Sequence, residues 1–271
     1  MKFTIIGSTG FIGSNLTNYL KKQKYDCYTP DIRLDDISKK SLGHVIYTIG
    51  TPDFKNYPFD SIETHVCILN RLLQNNNFDS FLYLSGTRLY QRNQSTSEDD
   101  SIIVNPTDFN DLYNISKSLG DCLCISMNNP NIRVARLSNV SGNNFNSNLF
   151  LPSIVRDAVL KKKIKLFSNL ESEKDYIHID DVVKLLPKIS IHGQSNIYNI
   201  ASGKNTKSKE IVAKISKITK CTVDVESNSP ICLFPQISTS RIKKEFNFKP
   251  MSVLEKIEDM VDDFKQNFVL K

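Results

Sequence analysis

The sequence predicts an α/β fold with a parallel sheet, and two observations carry this prediction. Short apolar runs that end in polar residues alternate along the chain with segments whose apolar residues recur at helical spacing. The first run, residues 3–6, is followed by glycines at positions 7, 10 and 13. Strands that alternate with helices favour parallel pairing, because a parallel connection requires a long crossover that a helix supplies.

The composition is that of an ordinary globular protein. With 271 residues, of which 39% are hydrophobic, the chain could form one large or two small domains with a real core. Its first residues lack the basic flank and apolar stretch of a signal peptide, and no apolar run reaches the length of a membrane span. We therefore expect a cytoplasmic protein with no membrane partner.

The charge pattern does not predict a nucleic-acid-binding protein. The net charge is +6, and lysines cluster at positions 161, 162, 163 and 165. These lysines are neither interleaved with aromatic residues nor laid along a recognition helix, so we interpret them as a solvated helix end. A mild positive field would favour an anionic substrate.

The cysteines and histidines predict no metal site. Six cysteines include no C-x-x-C pair, so buried free thiols are expected rather than disulfides or zinc ligands. His178 is flanked by isoleucines and has no partner at ligand spacing, which favours a structural histidine.

The glycine-rich turn after the first strand has the spacing G-x-x-G-x-x-G. Such glycines allow a tight turn, close approach of backbone to phosphate, and close packing of the helix that follows, here predicted over residues 14–22. The N–H groups at the start of that helix could hold a pyrophosphate, although glycines also serve purely structural turns. The residues predicted to bind a cofactor here are Gly7, Thr9, Gly10, Phe11, Ile12 and Gly13.

The second predicted strand, residues 26–29, leads to Asp31. In dinucleotide folds an acid about twenty residues beyond the glycines binds the ribose hydroxyls and repels a 2′-phosphate, which favours NAD. Arg33 could instead accommodate a 2′-phosphate, so NADP stays possible, and Asp31 could also be a simple turn residue.

Polar residues gather where two later strands end. After an acidic loop and a helix predicted within residues 34–42, a strand over residues 44–51 brings Gly50 to where its backbone could lie against a cofactor. A helix over residues 62–74 leads to a strand over 81–90 that carries Ser85 and Thr87. Because ligands of open α/β sheets bind outside the carboxyl ends of the strands, these two hydroxyls are placed for chemistry.

A predicted helix over residues 112–125 carries Tyr113 and Lys117, four residues apart and so on one face. Shifting a tyrosine pKa from about 10 to near 7 requires roughly 4 kcal/mol of preference for the phenolate. A neighbouring lysine and a positively charged nicotinamide act in that direction. Tyr113 could then pass a proton to or from a substrate oxygen while hydride moves. A lone Y-x-x-x-K is also common for structural reasons.

The remaining segments continue the alternation. The strand over residues 132–140 ends in polar residues that include Asn139, and Asp180 and Asp181 are predicted as the N-cap and first-turn acid of a helix beginning at Val182. The other predictions are helices over residues 149–160, 208–219, 239–246 and 253–264 and strands over residues 163–167 and 196–203.

Together these motifs resemble the extended short-chain dehydrogenase/reductase family, and most closely its nucleotide-sugar epimerases and dehydratases. The resemblance rests on GSTGFIG, Asp31, LSGTRLY, Tyr113 with Lys117, RLSNVSG and KDYIHIDDVV in this order. It implies a Rossmann-type, doubly wound parallel sheet for the cofactor over residues 1–140, to which 175–198 return. It also implies a smaller C-terminal α/β substrate domain, mainly residues 141–271.

The resemblance also implies residue roles. Tyr113 is the acid/base, Lys117 holds the nicotinamide ribose and lowers the tyrosine pKa, Asn139 touches the sugar nucleotide, and Lys174 stands where a phosphate-binding arginine is usual. Family members often form homodimers through a four-helix interface that includes the tyrosine helix, so a homodimer is expected.

The sequence departs from the family pattern in four places. Gly86 occupies the position of the catalytic serine or threonine, so Thr87, or less preferably Ser85, would take that role. Thr87 and Arg88 stand where 4,6-dehydratases carry an Asp-Glu pair, which disfavours dehydration. Lys174 replaces an arginine and residues 226–238 contain neither arginine nor lysine, so the usual diphosphate contacts are reduced.

These observations lead to two hypotheses. The first is an NAD(P)-dependent sugar-nucleotide epimerase or 4-ketoreductase that uses Tyr113, Lys117 and Thr87. The alternative is a non-catalytic dinucleotide-binding sensor or scaffold of the same fold, which Gly86 and the missing arginines favour and the intact Tyr113 and Lys117 oppose.

Overall fold

The fold is known from a computed structural model, which describes residues 1–51, 54–74 and 77–269. The strands in chain order are β1 (Lys2–Ile6), β2 (Asp26–Tyr28), β3 (His44–Tyr47), β4 (Ser80–Gly86), β5 (Ile132–Leu137), β6 (Asn139–Ser141), β7 (Lys163–Leu166), β8 (Glu173–His178), β9 (Ile197–Ile200), β10 (Asn205–Lys207) and β11 (Thr222–Val225). The α-helices are α1 (Phe11–Lys22), α2 (Pro58–Ile62), α3 (Ile68–Gln74), α4 (Leu112–Ser126), α5 (Phe150–Leu160), α6 (Ile179–His192), α7 (Ser208–Thr219), α8 (Ser240–Phe246) and α9 (Val253–Phe264).

A six-stranded parallel sheet in the order β2-β1-β3-β4-β5-β9 forms the centre of the molecule. The remaining strands form two smaller sheets. One has the order β10-β8-β6, in which β10 is antiparallel to β8, and the other is the parallel pair β11-β7. The order reverses between β1 and β3, as in doubly wound sheets. This arrangement confirms the predicted α/β class with a Rossmann-type parallel sheet.

Helices cover both faces of the large sheet. Successive residues of a strand point to opposite sides, so its apolar side chains are buried against helices on each face. On one face Ile5 packs with residues of α1 and α6, such as Leu16 and Leu186, and on the other Ile6 packs with residues of α3 such as Leu69. A third apolar cluster joins α5, α7 and α9 around Ile164 of β7. Burying both faces explains why these strands are nearly continuous apolar runs. The division into domains at residue 140 stays a prediction.

The prediction of a helix within residues 34–42 is wrong, because this segment forms turns. The carbonyl of Asp31 accepts the N–H groups of Leu34 and Asp35, and the Asp36 carboxylate accepts the N–H and hydroxyl of Ser38. Side chains that bind nearby backbone in this way compete with helix formation.

Several predicted boundaries also move. Helix α6 begins at Ile179 rather than Val182, because His178 is the N-cap and its Nδ1 accepts the N–H of Asp180 at 3.3 Å. The strand predicted over residues 81–90 ends at Gly86 and continues as a 3₁₀ turn, Thr87–Tyr90, whereas the strand predicted over 132–140 divides into β5 and β6 in different sheets. Helix α1 begins at Phe11, and a π-helical turn, Glu63–Cys67, joins α2 to α3.

The cysteines are all free, but two of them are not buried as expected. Cys122 and Cys232 are exposed, whereas Cys124 and Cys221 are buried. Among the described helices none combines the length and the apolar character needed to cross a bilayer.

Candidate functional site

The glycine turn joins β1 to α1 at very short backbone distances. Gly7 has a φ of +91°, and its carbonyl accepts the Gly10 N–H at 3.1 Å. A Cβ on Gly13 would lie only 2.1 Å from the Gly7 oxygen. Glycine is therefore required at both positions, as the predicted tight turn and close helix packing demand.

This turn forms one wall of a cleft of about 370 Å³. Six of the residues predicted to bind the cofactor line it: Gly7, Thr9, Gly10, Asp31, Arg33 and Gly50. Phe11, Ile12 and Gly13 form the first turn of α1, and Asp31 is fixed at the cleft edge because its Oδ1 accepts the Arg33 N–H at 3.0 Å. Helix N–H donors at one end and a carboxylate at the other fit the diphosphate and ribose of a dinucleotide. A larger surface pocket of about 490 Å³ is lined by residues of α1, α6 and α8 and of the segments that follow α1 and α6, none of which is a predicted site residue.

Gly50 connects this cleft to the helix that carries Tyr113 and Lys117. A Cβ on Gly50 would lie 3.8 Å from Lys117 Nζ and 3.8 Å from His65 Nε2. The Lys117 ammonium is buried and donates to the carbonyl of Leu84 at 2.8 Å. Burial lowers the pKa of Lys117 to about 7, although the Asp121 carboxylate opposes this shift.

Tyr113 lies against the end of β4. A Cβ on Gly86 would lie 3.2 Å from the Tyr113 hydroxyl oxygen, so the backbone of Gly86 faces the phenol directly. Burial raises the pKa of Tyr113, and the cation that acts most strongly against this rise is Arg88. Burial, and not the expected effect of Lys117, therefore dominates the pKa of Tyr113 in this structure. The acid–base role of Tyr113 and Lys117 stays a prediction.

Two aromatic residues that the sequence analysis did not select surround Tyr113. The centre of the Phe54 ring lies 5.8 Å from that of Tyr113, and the His65 ring meets it edge-on at 5.4 Å. His65 Nδ1 lies 2.9 Å from Ser116 Oγ, which donates to the Tyr113 carbonyl. Burial, with a contribution from Lys117, lowers the pKa of His65 to about 2, so the ring is neutral at pH 7. No motif around Phe54 or His65 indicates a place in the site, because only the folded chain brings these residues to Tyr113.

A buried ion pair fixes α4 on the sheet. Arg136 of β5 binds Asp121 of α4 at 2.9 Å and donates to the Tyr90 hydroxyl at 2.6 Å, which in turn donates to Asn199 at 2.9 Å. Burial raises the pKa of Asp121, and Arg136 opposes that rise. Because Asp121 lies one helical turn beyond Lys117, this network determines where Lys117 and Tyr113 stand relative to β4.

The predicted hydroxyl residues are both buried at the end of β4. Thr87 begins the 3₁₀ turn, and the hydroxyl of Ser85 lies near Asp121 of α4, whose pKa it acts to lower. These positions are close to Gly86, so either hydroxyl could serve the site. Their relative roles stay a prediction.

The predicted substrate residues lie on the second sheet. Asn139 begins β6 and donates through Nδ2 to the Asp175 carbonyl at 2.9 Å, and Lys174 lies on the adjacent strand β8. Lys174 is half-buried, its Nζ lies 5.4 Å from the centre of the Phe234 ring, and burial lowers its pKa. Among the described residues, no group of three or more histidines, cysteines and carboxylates converges as a metal site would.

The chain is similar to known proteins over most of its length. Residues 44–201 match the family model described as the NAD dependent epimerase/dehydratase family. GDP-6-deoxy-D-mannose reductase of Pseudomonas aeruginosa is 22% identical over 250 residues, covering 82% of this chain and 81% of the relative. The dTDP-4-dehydro-6-deoxyglucose reductase of Escherichia coli is 24% identical over 268 residues, covering 89% of this chain and 81% of the relative.

A solved structure shows the same fold over the whole length. MoeE5 in complex with UDP-glucose and NAD superposes with a TM-score of 0.85 at 15% identity, covering 100% of both chains. The match of the family model confirms the family resemblance that the motifs predict.

Proposed function

This chain belongs to the NAD dependent epimerase/dehydratase family, and we propose that it is a sugar-nucleotide epimerase or 4-ketoreductase that uses Tyr113 as its acid/base. Family membership confirms the predicted NAD(P)-dependent enzyme. The observation that supports the finer proposal is the convergence of the Tyr113 hydroxyl, Gly86 at the end of β4 and Lys117 beside the Gly50 end of the cleft.

The residues divide the chemistry between them. Tyr113 donates a proton to the substrate oxygen when a ketone is reduced, or accepts that proton as phenolate when an alcohol is oxidised. Lys117 binds the ribose of the cofactor, and Thr87 donates a hydrogen bond to the reacting oxygen. A nicotinamide cofactor, when bound, supplies or accepts the hydride.

The cleft residues determine the cofactor. Backbone N–H groups from Gly7 to Gly13 bind the pyrophosphate, and Asp31 binds the ribose hydroxyls, which favours NAD. Arg33, on the same cleft wall, is the residue that would accept NADP. Asn139 and Lys174 bind the nucleotide diphosphate of the substrate.

Two observations bear on the reaction type. Thr87 and Arg88 supply no carboxylate after β4, so dehydration lacks the acid and base that it needs at this point. Both curated relatives are named as reductases, which supports the 4-ketoreductase. Incubation with NADH or NADPH and a panel of 4-keto sugar nucleotides separates the two reactions. Stoichiometric oxidation of the nicotinamide indicates reduction, and interconversion without net oxidation indicates epimerisation.

The Tyr113→Phe variant tests the acid–base role. Loss of the phenol removes the proton donor, so we expect kcat to fall by about 10²–10⁴-fold. Cofactor affinity, measured by fluorescence titration, should change little, because the phenol is not part of the glycine cleft. An unchanged kcat would show that Tyr113 is not the proton carrier. Absence of turnover in the wild type with every substrate tested, despite cofactor binding, would favour the scaffold hypothesis.

A further inference from the structure

Arg88 is a cation beside Tyr113 to which neither the motifs nor the proposed chemistry gives a role. It lies in the 3₁₀ turn that follows β4, Thr87–Tyr90. Its guanidinium carbon is 5.0 Å from the centre of the Phe54 ring and 5.6 Å from the centre of the Tyr113 ring. Because Arg88 packs on the ring whose hydroxyl acts on the substrate, a group bound by Arg88 lies within about one sugar ring of the reacting oxygen.

The guanidinium of Arg88 has unused hydrogen-bonding capacity. Its Nη2 donates to the Asn110 carbonyl at 3.3 Å, but its buried Nε has no partner among the residues that the structure describes. Within the same described residues, no carboxylate forms an ion pair with Arg88, in contrast to Arg92 four residues later, which binds Asp108 and Asp111. A buried N–H without an acceptor costs free energy that a bound acceptor recovers.

A second cation stands near Arg88. Lys174 of β8 contacts the Phe234 ring, forms no ion pair with any described carboxylate, and its pKa is lowered in part by the charge of Arg88. Two neighbouring positive charges that form no ion pair with any carboxylate of residues 1–51, 54–74 and 77–269 favour a substrate with more than one anionic group. Lys174 suits the diphosphate, which leaves Arg88 for an anion on the sugar side.

The absence of a side chain at Gly86 keeps the Tyr113 hydroxyl uncrowded. A Cβ at this position would lie 3.2 Å from that hydroxyl oxygen, a tighter contact than side chains usually make, and glycine avoids it. The backbone there is extended, with φ of −144°, so the conformation does not require glycine. The absence of a side chain is therefore explained by space rather than by backbone strain.

We propose that Arg88 binds a carboxylate on the sugar, so that the substrate is a nucleotide-linked uronic acid. This inference rests on the proposed function, since it assumes a sugar nucleotide at Tyr113. A carboxylate fits better than a hydroxyl because the planar guanidinium donates two parallel hydrogen bonds to its two oxygens. A neutral hexose would offer Arg88 no anionic partner, and the described part of the chain supplies none.

Calorimetric titration of the protein saturated with NAD tests this assignment on matched pairs. The ligands are UDP-glucose with UDP-glucuronate, UDP-galactose with UDP-galacturonate, and GDP-mannose with GDP-mannuronate. We expect the uronate of at least one pair to bind roughly 10–100-fold more tightly, as a charge-assisted hydrogen-bonded pair allows. In Arg88→Gln the preference should fall below about twofold, with hexose affinity little changed, and Arg88→Lys should retain only part of it.

The Arg71→Gln variant is the matched control, because Arg71 is an exposed arginine whose partner is Glu63, and its replacement changes the net charge equally. It should retain the preference for the uronate. If the wild type binds and converts hexose derivatives but does not prefer the uronate, the proposal for Arg88 is wrong and the proposed function stands. If Arg88→Gln, shown to be folded by thermal unfolding, weakens both sugars of a pair equally, Arg88 binds a group common to both and the carboxylate assignment is wrong. Failure of every sugar nucleotide to bind or react would overturn both proposals.

Discussion

At the scale of single residues, Lys117 couples the stability of the fold to pH. Its pKa in the folded protein is about 7, below the ordinary value of 10.5. Between these two values the unfolded chain binds more protons than the folded one, so the free energy of unfolding rises with pH. At pH values below 7 the full cost of burying the charged ammonium is present, up to about 5 kcal/mol.

We therefore expect Lys117→Met to be more stable than the wild type at pH 6. The advantage should shrink as the pH rises to 10, because the cost of deprotonating Lys117 on folding falls as the pH approaches 10.5, its ordinary value in the unfolded chain. Urea denaturation of both proteins at pH 6, 8 and 10 measures this difference, in which the titration of other groups cancels. A difference that is constant with pH would contradict the assignment of the shifted pKa to Lys117.

Gly86 stands where the family carries a catalytic serine or threonine, so a neighbouring hydroxyl, of Thr87 or Ser85, must bind the reacting oxygen beside Tyr113. We expect Thr87→Val to lower kcat by about 10–100-fold, because it removes a donor to the reacting oxygen while preserving the shape of the side chain. Ser85→Ala is the matched control and should leave kcat within about twofold. Steady-state kinetics on the substrate identified by the titrations decides between them, and the reverse ranking would transfer the role to Ser85.

At the scale of secondary-structure elements, the junction of β1 and α1 depends on Gly13 more than on Gly10. A Cβ on Gly13 would meet the Gly7 oxygen at 2.1 Å, whereas a Cβ on Gly10 would meet the same atom at an ordinary 3.4 Å. We expect Gly13→Ala to destabilise the protein by about 1–3 kcal/mol through overpacking, and Gly10→Ala by much less. Thermal unfolding of the two variants measures this. Equal losses of stability would mean that the short contact relaxes without cost.

At the scale of the whole molecule, the surface formed by α2 and α4 predicts self-association. These helices pack against each other, and Phe59 and Leu119 on them are 87% and 47% exposed. Ile62 of α2 and Ile125 of α4 are also exposed, by 37% and 43%. Exposed apolar surface of this kind on neighbouring helices is typical of subunit interfaces.

We expect the protein to be a homodimer and Leu119→Glu to be a monomer, since the substitution places a charge in the middle of the apolar contact. Leu160→Glu is the control, because Leu160 is 56% exposed on α5, away from this surface, and should leave the dimer intact. Light scattering coupled to size-exclusion chromatography measures the mass. A wild-type monomer at micromolar concentration would overturn this prediction.

The sequence by itself determined the alternation of strands and helices, the glycine turn at Gly7 to Gly13 and the placement of Tyr113 and Lys117 four residues apart on one helix. These features are local: apolar periodicity, backbone freedom at glycine and a spacing of four residues along a helix are all visible in a short stretch of chain. The same local reasoning misjudged the segment over residues 34–42, because it did not weigh the aspartate turns that compete with a helix.

Only the tertiary structure decided what surrounds Tyr113. His65, Phe54 and Arg88 come from three separate segments, and the parallel sheet brings them to one place by pairing strands distant in sequence. The pKa values of Lys117 and His65 depend on burial in the same way, since desolvation is a property of the packed molecule and not of any one segment. The chain's own pattern thus predicts where a dinucleotide binds, whereas packing across the sheet determines which side chains lie beside Tyr113.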